Sequence, residues 1–561
     1  MKKITLITLI QLLIGSVSLH ATIYYVKPEG SGNGTSWSDA ASSIHDMISK
    51  AKVGDAIWVS AGTYYPTKPI NGDRSKSFVL KDGVHLYGGF SGNEATINDR
   101  AKSDRDGNGI VDPWEFTHET ILSGNVDGVE DVWEKQYINA SWTWNIKGYE
   151  GNSIHVVYCE DEFVNETQFD GFTVTGGSEY MATGYLRGGG IYAQGKIVIN
   201  NCNVVKNYAS RGGGGISNRY GTVSNSNISN NKTQTDGGGI WNIGTVINCV
   251  ISNNSAITDG GGMYNGSSGK VINSVVHSNA TYRSTIKMEA MESFGGGICN
   301  RVGVIENCIV FDNIVNAESP YGFPVRVYGG GIYNFEGVVS NCCVYNNYVY
   351  GVSDANKGGG ICSSGSTERQ AYVYCSTVVN NQPNEIDLFD SSSKAYYYNC
   401  ISASSDLERN FQHPTSFVGI PQTDEQRIEL LQADWRLKTG SEYIDNGSIA
   451  NLPESVVNGT DLAGNTRIYN GKIDLGAYEY DSNGSSIIEP NRDMNICFVD
   501  KLGYLHFLLP ENTPNIQLWT MNGTLIYQDL SVDNPLKLPQ HGIYLVKIRW
   551  NNQVLTKKIV W

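Results

Sequence analysis

This chain is poor in the features that cross membranes, build helical bundles or grip nucleic acid. After residue 21 no apolar stretch reaches the roughly 20 residues that a spanning helix needs. Its repetitive middle shows no 3.6-residue hydrophobic period, which argues against amphipathic helices there. Basic residues are in the minority: 41 Lys and Arg stand against 56 Asp and Glu, a formal net charge of −15. That balance argues against nucleic acid as a partner. The cysteines number eleven, so at least one has no partner within the chain.

Glycine is what the chain has in excess, 64 of 561 residues, where average usage is about 7%. Much of it lies in seven triplets followed by Ile or Met, ending at Gly190, Gly215, Gly239, Gly262, Gly297, Gly331 and Gly360. The intervals are 25, 24, 23, 35, 34 and 29 residues. Such a period marks a solenoid, in which each unit buries its apolar face only against its neighbours. Aligned on the last glycine, Ile191, Ile216, Ile240, Met263, Ile298, Ile332 and Ile361 share one slot, and Asn218, Asn242, Asn265, Asn300 and Asn334 another. Runs such as Asn201-Cys202-Asn203-Val204 and Asn248-Cys249-Val250-Ile251 put a small and a β-branched residue two apart, on one strand face. Short strands without crossover helices must stack in parallel, about 4.8 Å apart. The expected fold is all-β, a parallel β-helix. Gly triplets suit its crowded corners and Asn columns its turns. Cys202, Cys249, Cys308 and Cys342 alternate with Ser226 and Ser274 in one slot. They are expected as small buried residues rather than disulfides.

The Gly-Gly-Gly-Ile-x-Asn repeats resemble those of polymorphic outer-membrane proteins and secreted pectate-lyase-like families, whose β-helices are right-handed. That resemblance covers most of residues 22–480. Residues 1–21 read as a signal peptide, Met1-Lys2-Lys3 followed by an apolar run. Residues 22–100 read as an amino-terminal cap and first coils, with a helix over 38–52. Residues 101–433 carry the repeats. Residues 434–480, with Thr460-Asp461-Leu462-Ala463-Gly464-Asn465-Thr466-Arg467 and Gly471-Lys472-Ile473-Asp474-Leu475-Gly476-Ala477-Tyr478-Glu479, resemble the choice-of-anchor Q segment that closes β-helices in surface proteins. Residues 481–492 are a polar linker. Residues 493–561 read as a carboxy-terminal β-sandwich with hairpin signals at Asn522-Gly523 and Asn551-Asn552. Its ending resembles a type IX secretion sorting domain; the other reading is an ordinary adhesive β-domain. Together these imply a protein exported to the surface or outside of a Gram-negative cell, with the type IX machinery as a partner.

One stretch has metal-ligand spacing. Asp104-Arg105-Asp106-Gly107-Asn108-Gly109-Ile110-Val111-Asp112-Pro113-Trp114-Glu115 fills a twelve-residue EF-type loop, with Asp104, Asp106, Asn108, the Ile110 carbonyl, Asp112 and Glu115 as ligands for a structural Ca2+. The alternative is a solvated acidic turn.

Catalytic signatures are missing. The adjacent acid pair and Gly-His-Gly expected of polygalacturonase-type hydrolases do not occur. Arg187, Arg211, Asp236 and Asp259 precede successive glycine runs, as a charge ladder between coils or as lyase machinery. Binding is the first reading. Insertions at 177–186, 280–293, 314–327 and 349–356 emerge along one edge and carry Tyr180, Tyr185, Tyr282, Arg283, Tyr321 and Arg326. The outward slot after the Ile column holds Tyr192, Trp241, Tyr264 and Tyr333. Aromatics beside a groove suit sugar rings; packing beneath the insertions explains them equally well. The expected function is a glycan-binding or adhesin-like surface protein for a polysaccharide or host glycan, with a polysaccharide lyase or glycoside hydrolase as the alternative.

Overall fold

The computed structural model describes residues 21–480 apart from 67–73, 109, 139–140, 160–162, 181–186, 285–290, 319–324, 352–355, 404, 416–425, 427–428 and 431, and beyond 480 the strands of a second compact unit. In the first unit the chain winds through four parallel sheets of twelve, eleven, ten and seven strands among the described residues. One coil shows the order. Ile191–Ala193 lies in the ten-stranded sheet, Ile197–Asn200 in the twelve-stranded, Asn203–Val205 in the eleven-stranded and Tyr208–Ala209 in the seven-stranded sheet. Ile216–Asn218 then returns beside Ile191–Ala193, residue for residue. The fold is a parallel β-helix.

Three columns of branched side chains fill the interior. The Ile/Met slot stacks in register from Ile191 to Ile361, and each of its seven members is fully buried. Ile199, Val223, Val246, Val271, Ile305, Val339 and Val373 form the second column, and Val204, Ile228, Ile251, Val276, Val310, Val344 and Val378 the third. The Cys/Ser slot lies between them as expected. Ser226 and Ser274 accept from the amides of Cys202 and Cys249 at 3.0 and 3.2 Å. The ten described cysteines are free thiols.

The corners follow from backbone conformation. Asn201, Asn225, Asn248, Asn273, Asn307 and Asn341 turn the chain with φ of 48–54°, a region that Asn tolerates better than most residues. In each glycine triplet the first member has positive φ, 61–75°. The second and third are required by crowding: a Cβ on Gly239 would meet the Asn254 amide and the Gly262 carbonyl, each at 2.9 Å.

A further asparagine column stands inside the corner. Asn207, Asn231, Asn254, Asn279, Asn313, Asn347 and Asn381 each lie within a buried turn. Each Nδ2 donates to the next Oδ1 at 2.9–3.1 Å. Asn381 ends the chain of amides by donating to Glu385 Oε2 at 2.8 Å. Burial pushes the Glu385 carboxyl up to about 7. A second ladder, Asn218 to Asn334, runs the same way at 2.8–2.9 Å.

The open end at the amino terminus is covered. The expected helix is shorter than 38–52: a 3-10 turn at Trp37–Asp39 precedes a helix at Ile44–Lys50, whose Ser43 side chain accepts from the Asp46 amide. Ile44, Met47 and Ile48 pack into the end of the core. At the other end, Asp461 accepts from the amides of Ala463, Asn465 and Glu479, and the fully buried Arg467 sits 3.1 Å from Glu479. The Gly476 and Ala477 amides then donate to Asn399 O and Thr377 Oγ1 on the last coils. The motif residues at 460–479 thus hold a closing turn against the solenoid.

The second unit contains two antiparallel sheets of three and four described strands. Ile543–Trp550 pairs with Gln553–Val560 in an antiparallel ladder; the expected turn residues Asn522-Gly523 and Asn551-Asn552 lie outside the described residues.

Candidate functional site

Alternation along each strand of the ten-stranded sheet sends the residue after the Ile column outward. The outward column runs Tyr158, Tyr192, Ser217, Trp241, Tyr264, Cys299, Tyr333, Cys362, Asp387. Tyr192 stacks on Tyr158 at 5.2 Å and on His155 at 5.1 Å. Trp241 stacks on Tyr264 at 6.2 Å, nearly parallel. Between these pairs stands only Ser217, too small to fill its level.

A cavity of about 320 Å³ opens there, lined by Arg187, Tyr192, Gln194, Arg219, Trp241 and Ile243. Arg187 crosses Gly212 and lays its guanidinium 4.1 Å from the centre of the Trp241 ring. A Cβ on Gly212 would lie 2.9 Å from the Trp241 ring and 3.1 Å from Arg187. Arg219 lies over Tyr220 and donates to Gln194 Oε1 at 3.4 Å. His155 donates from Nδ1 to Gly188 O at 2.7 Å, and burial holds its imidazole down at about 4. It is therefore neutral near pH 7 and supports Tyr192 by packing.

The charge ladder differs from the expectation. The slot before the triplets reads Arg187, Gly212, Asp236, Asp259, Phe294, Tyr328 and Lys357, Gly212 taking the second place because the glycine run at 212–215 is four residues long. Arg211 therefore does not stack on Arg187. Asp259 pairs with Arg301 at 3.4 Å instead. Burial and neighbouring Asp236 push the Asp259 carboxyl up to about 7, against the pull of Arg301.

Of the residues expected to bind, the structure brings Tyr192, Trp241 and Tyr264 together. Tyr333 belongs to their column but is 3% exposed, packed with Phe294, Tyr328 and Phe389. Its expectation of an outward, available ring is corrected: Phe294 and Tyr328, directly before the glycine triplets, and Phe389 cover it. Tyr180 lies apart, packed edge-on against Tyr149 at 5.3 Å. Tyr282, Arg283 and Arg326 lie on the insertions, which stack into parallel pairs with a small core of Val315, Ala317, Val325, Val327 and Val349. There Tyr282 donates to Glu318 at 3.3 Å, Arg283 to Glu292 O at 2.5 Å, and Arg326 stands 3.6 Å from the Glu292 carboxylate. Tyr185 and Tyr321 lie outside the described residues. Sequence reasoning missed Gln194 and Arg219. They share the slot four residues after the triplet, where Arg301 also stands.

In the acidic loop, ligand oxygens of Asp104, Asp106 and Glu115 lie within 4.8 Å of one another. Glu115 is 4% exposed. Its carboxylate accepts the amides of Arg105, Asp106 and Asp112 at 2.9, 3.1 and 2.9 Å. Asp104 Oδ1 accepts from the Gly107 amide, and Asn108 Oδ1 from the Ile110 amide. Asp112 joins through its amide, and Gly109 lies outside the described residues. The loop is closed by a Lys102↔Phe116 bridge, with no flanking helices.

No family model matches the chain, and no curated protein matches it in sequence. Among solved structures, a pectate lyase, Pel9A, aligns at 15% identity and a TM-score of 0.41, over 83% of this chain and 98% of that one. A rhamnogalacturonan lyase aligns at 15% identity and a TM-score of 0.22, over 67% and 84%. At these scores, function rests on the chain's own side chains.

Proposed function

We propose that the chain is an exported surface β-helix that binds a glycan on the outer face of its ten-stranded sheet. One observation carries this reading. Tyr192 and Trp241 bracket the level of Ser217, where the column carries no ring, and Arg187, Arg219 and Gln194 line the adjoining cavity with donors. Apolar ring faces with a few convergent polar groups make a ligand site. In this reading 434–480 is the choice-of-anchor Q closure. The second unit is a β-sandwich that addresses the protein to the type IX machinery of a Gram-negative cell.

The mature chain, residues 22–561, is expected to bind a discrete set of ligands on a glycan array, and Trp241→Ala to lose them by at least tenfold. Equal binding by wild type and Trp241→Ala would move the site elsewhere.

Cleavage of the bound polysaccharide is the second reading, favoured by the neighbouring Asp236 and Asp259 beside the same column. Shortened products from an array ligand, lost in Asp259→Asn, would establish it; an intact ligand would leave binding alone.

The acidic loop fits Ca2+. Asp104, Asp106 and Glu115 would hold the ion, and its charge would tie the ends of the loop together. Calcium is then expected to raise the melting temperature, since a ligand bound only to the folded state stabilises it. Asp104→Ala with Glu115→Ala is expected to abolish the rise. Identical melting in calcium and in chelator would show a solvated turn.

A further inference from the structure

Arg187 and Arg219 face one cavity, and neither has an acidic partner among the described residues. Arg301, in the same slot as Arg219 but three coils on, is paired with Asp259 at 3.4 Å. Arg100, Arg105 and Arg467 are also paired with carboxylates. The two guanidiniums line the cavity beside the level of Ser217, where the column carries no ring. Ser217 is fully buried in that column, and its hydroxyl has no hydrogen-bond partner. Tyr192 and Trp241 are two coils apart, about 9.6 Å at the usual strand spacing. Arg187 occupies the Trp241 side of this gap, 4.1 Å from the ring. The remaining gap of about 5.5 Å is narrower than two van der Waals contacts of about 3.5–4 Å each, so a sugar ring would rest at the mouth of the cavity beside Tyr192, with its acidic substituent reaching inward.

Resting on the glycan reading of this site, we propose that its ligand is an acidic glycan, with a sugar ring against Tyr192 and its carboxylate or sulfate between Arg187 and Arg219. Guanidinium groups present paired N–H donors that match either oxyanion, and a partly desolvated site strengthens the contact. The Gln194 amide, already drawn toward Arg219, remains as a neutral donor to a ring hydroxyl. The chain's net charge of −15 opposes a polyanion in general, so its binding depends on these two cations. Carboxylated and sulfated sugars share this chemistry, and the experiment separates them.

Three octasaccharides serve as probes for the mature full-length chain: a polyuronate, a sulfated glycan and a neutral glucan. Binding is measured for wild type, Arg187→Gln/Arg219→Gln and Trp241→Ala by calorimetry, with thermal melting as the folding control. At least one acidic probe is expected to bind, to weaken tenfold or more in the double glutamine variant, and to weaken further between 50 and 300 mM salt. Arg187→Lys/Arg219→Lys should restore part of the binding. If the neutral glucan binds equally well and depends on Trp241 but not on the arginines, the glycan reading stands and the acidic one falls. If acidic probes bind equally to wild type and the double glutamine variant, the arginines are not the anion site. If none of the three binds wild type, both readings fall.

Discussion

The outward face of the ten-stranded sheet has two halves built on the same repeat, and they have opposite fates. From Tyr158 to Tyr264 the column carries half-buried rings, one open level and two uncompensated arginines. From Cys299 to Cys362 it is closed, with Tyr333, Tyr328, Phe294 and Phe389 packed into one cluster. The backbone registers are alike in both halves. The difference lies in the slot before the glycine triplet. That slot is Arg187, Gly212, Asp236 and Asp259 in the first half and Phe294, Tyr328 and Lys357 in the second. Where the slot is aromatic its ring packs over the column, as Phe294 and Tyr328 do on Tyr333. A solenoid can therefore make a core and a site from one surface by changing one residue type per coil.

That contrast can be broken by mutation. The largest expected effect is on stability. Tyr333→Ala removes a buried ring from the closed half, which typically costs about 3–5 kcal/mol. Chemical denaturation should show it, with glycan binding unchanged at temperatures where the variant is folded. Trp241→Ala, in the open half, should cost far less stability and remove binding instead. Equal destabilisation by the two would mean that the halves do not differ.

Asn254→Ala tests what both halves share. It cuts one ladder midway, leaving the Asn231 backbone amide without its acceptor, while Asn231 Nδ2 keeps Val204 O and Ser229 O. A buried amide left unsatisfied costs about 1–3 kcal/mol, so a loss in that range is expected. A loss below about 0.5 kcal/mol, the level of an ordinary surface change, would show the ladder to be dispensable.

The boundary between the halves should be visible in pH dependence. Asp259 titrates at about 7 in the folded chain, above its unfolded range. Its contribution is complete below the unfolded value and is lost as pH rises from about 4 toward 7. The slope is at most about 1.4 kcal/mol per pH unit. Asp259→Asn should flatten stability over that window relative to wild type. An unchanged profile would place Asp259 in solvent. Glu385→Gln should have a smaller effect over a similar window, because the amide oxygen can still accept from Asn381.

The fold was legible because its signals are periodic. The Ile column, the Cys/Ser slot and the turn asparagines repeat at fixed distances from the glycines, and the structure places each as expected. The innermost ladder escaped notice. Asn207, Asn231 and Asn254 follow a positive-φ residue whose identity varies (Lys206, Asn230, Asn253), which hides the column among other asparagines. The site was half legible. Trp241 and Tyr192 followed from alternation, but the cover on Tyr333 comes from Phe294, Tyr328 and Phe389, which belong to other positions of the coil that alternation along one strand does not reach. The slot itself held the clue, since it changes from charged to aromatic at Phe294. Arg211 was misplaced by one residue because four glycines were read as three.

The central claim is that the open half binds a glycan and the closed half does not. Its most direct test is calorimetry of the best glycan-array ligand against wild type, Trp241→Ala and Tyr333→Ala, each verified as folded. The account predicts at least tenfold weaker binding for Trp241→Ala and an affinity within twofold of wild type for Tyr333→Ala. Full affinity in Trp241→Ala, with loss in Tyr333→Ala, would contradict it.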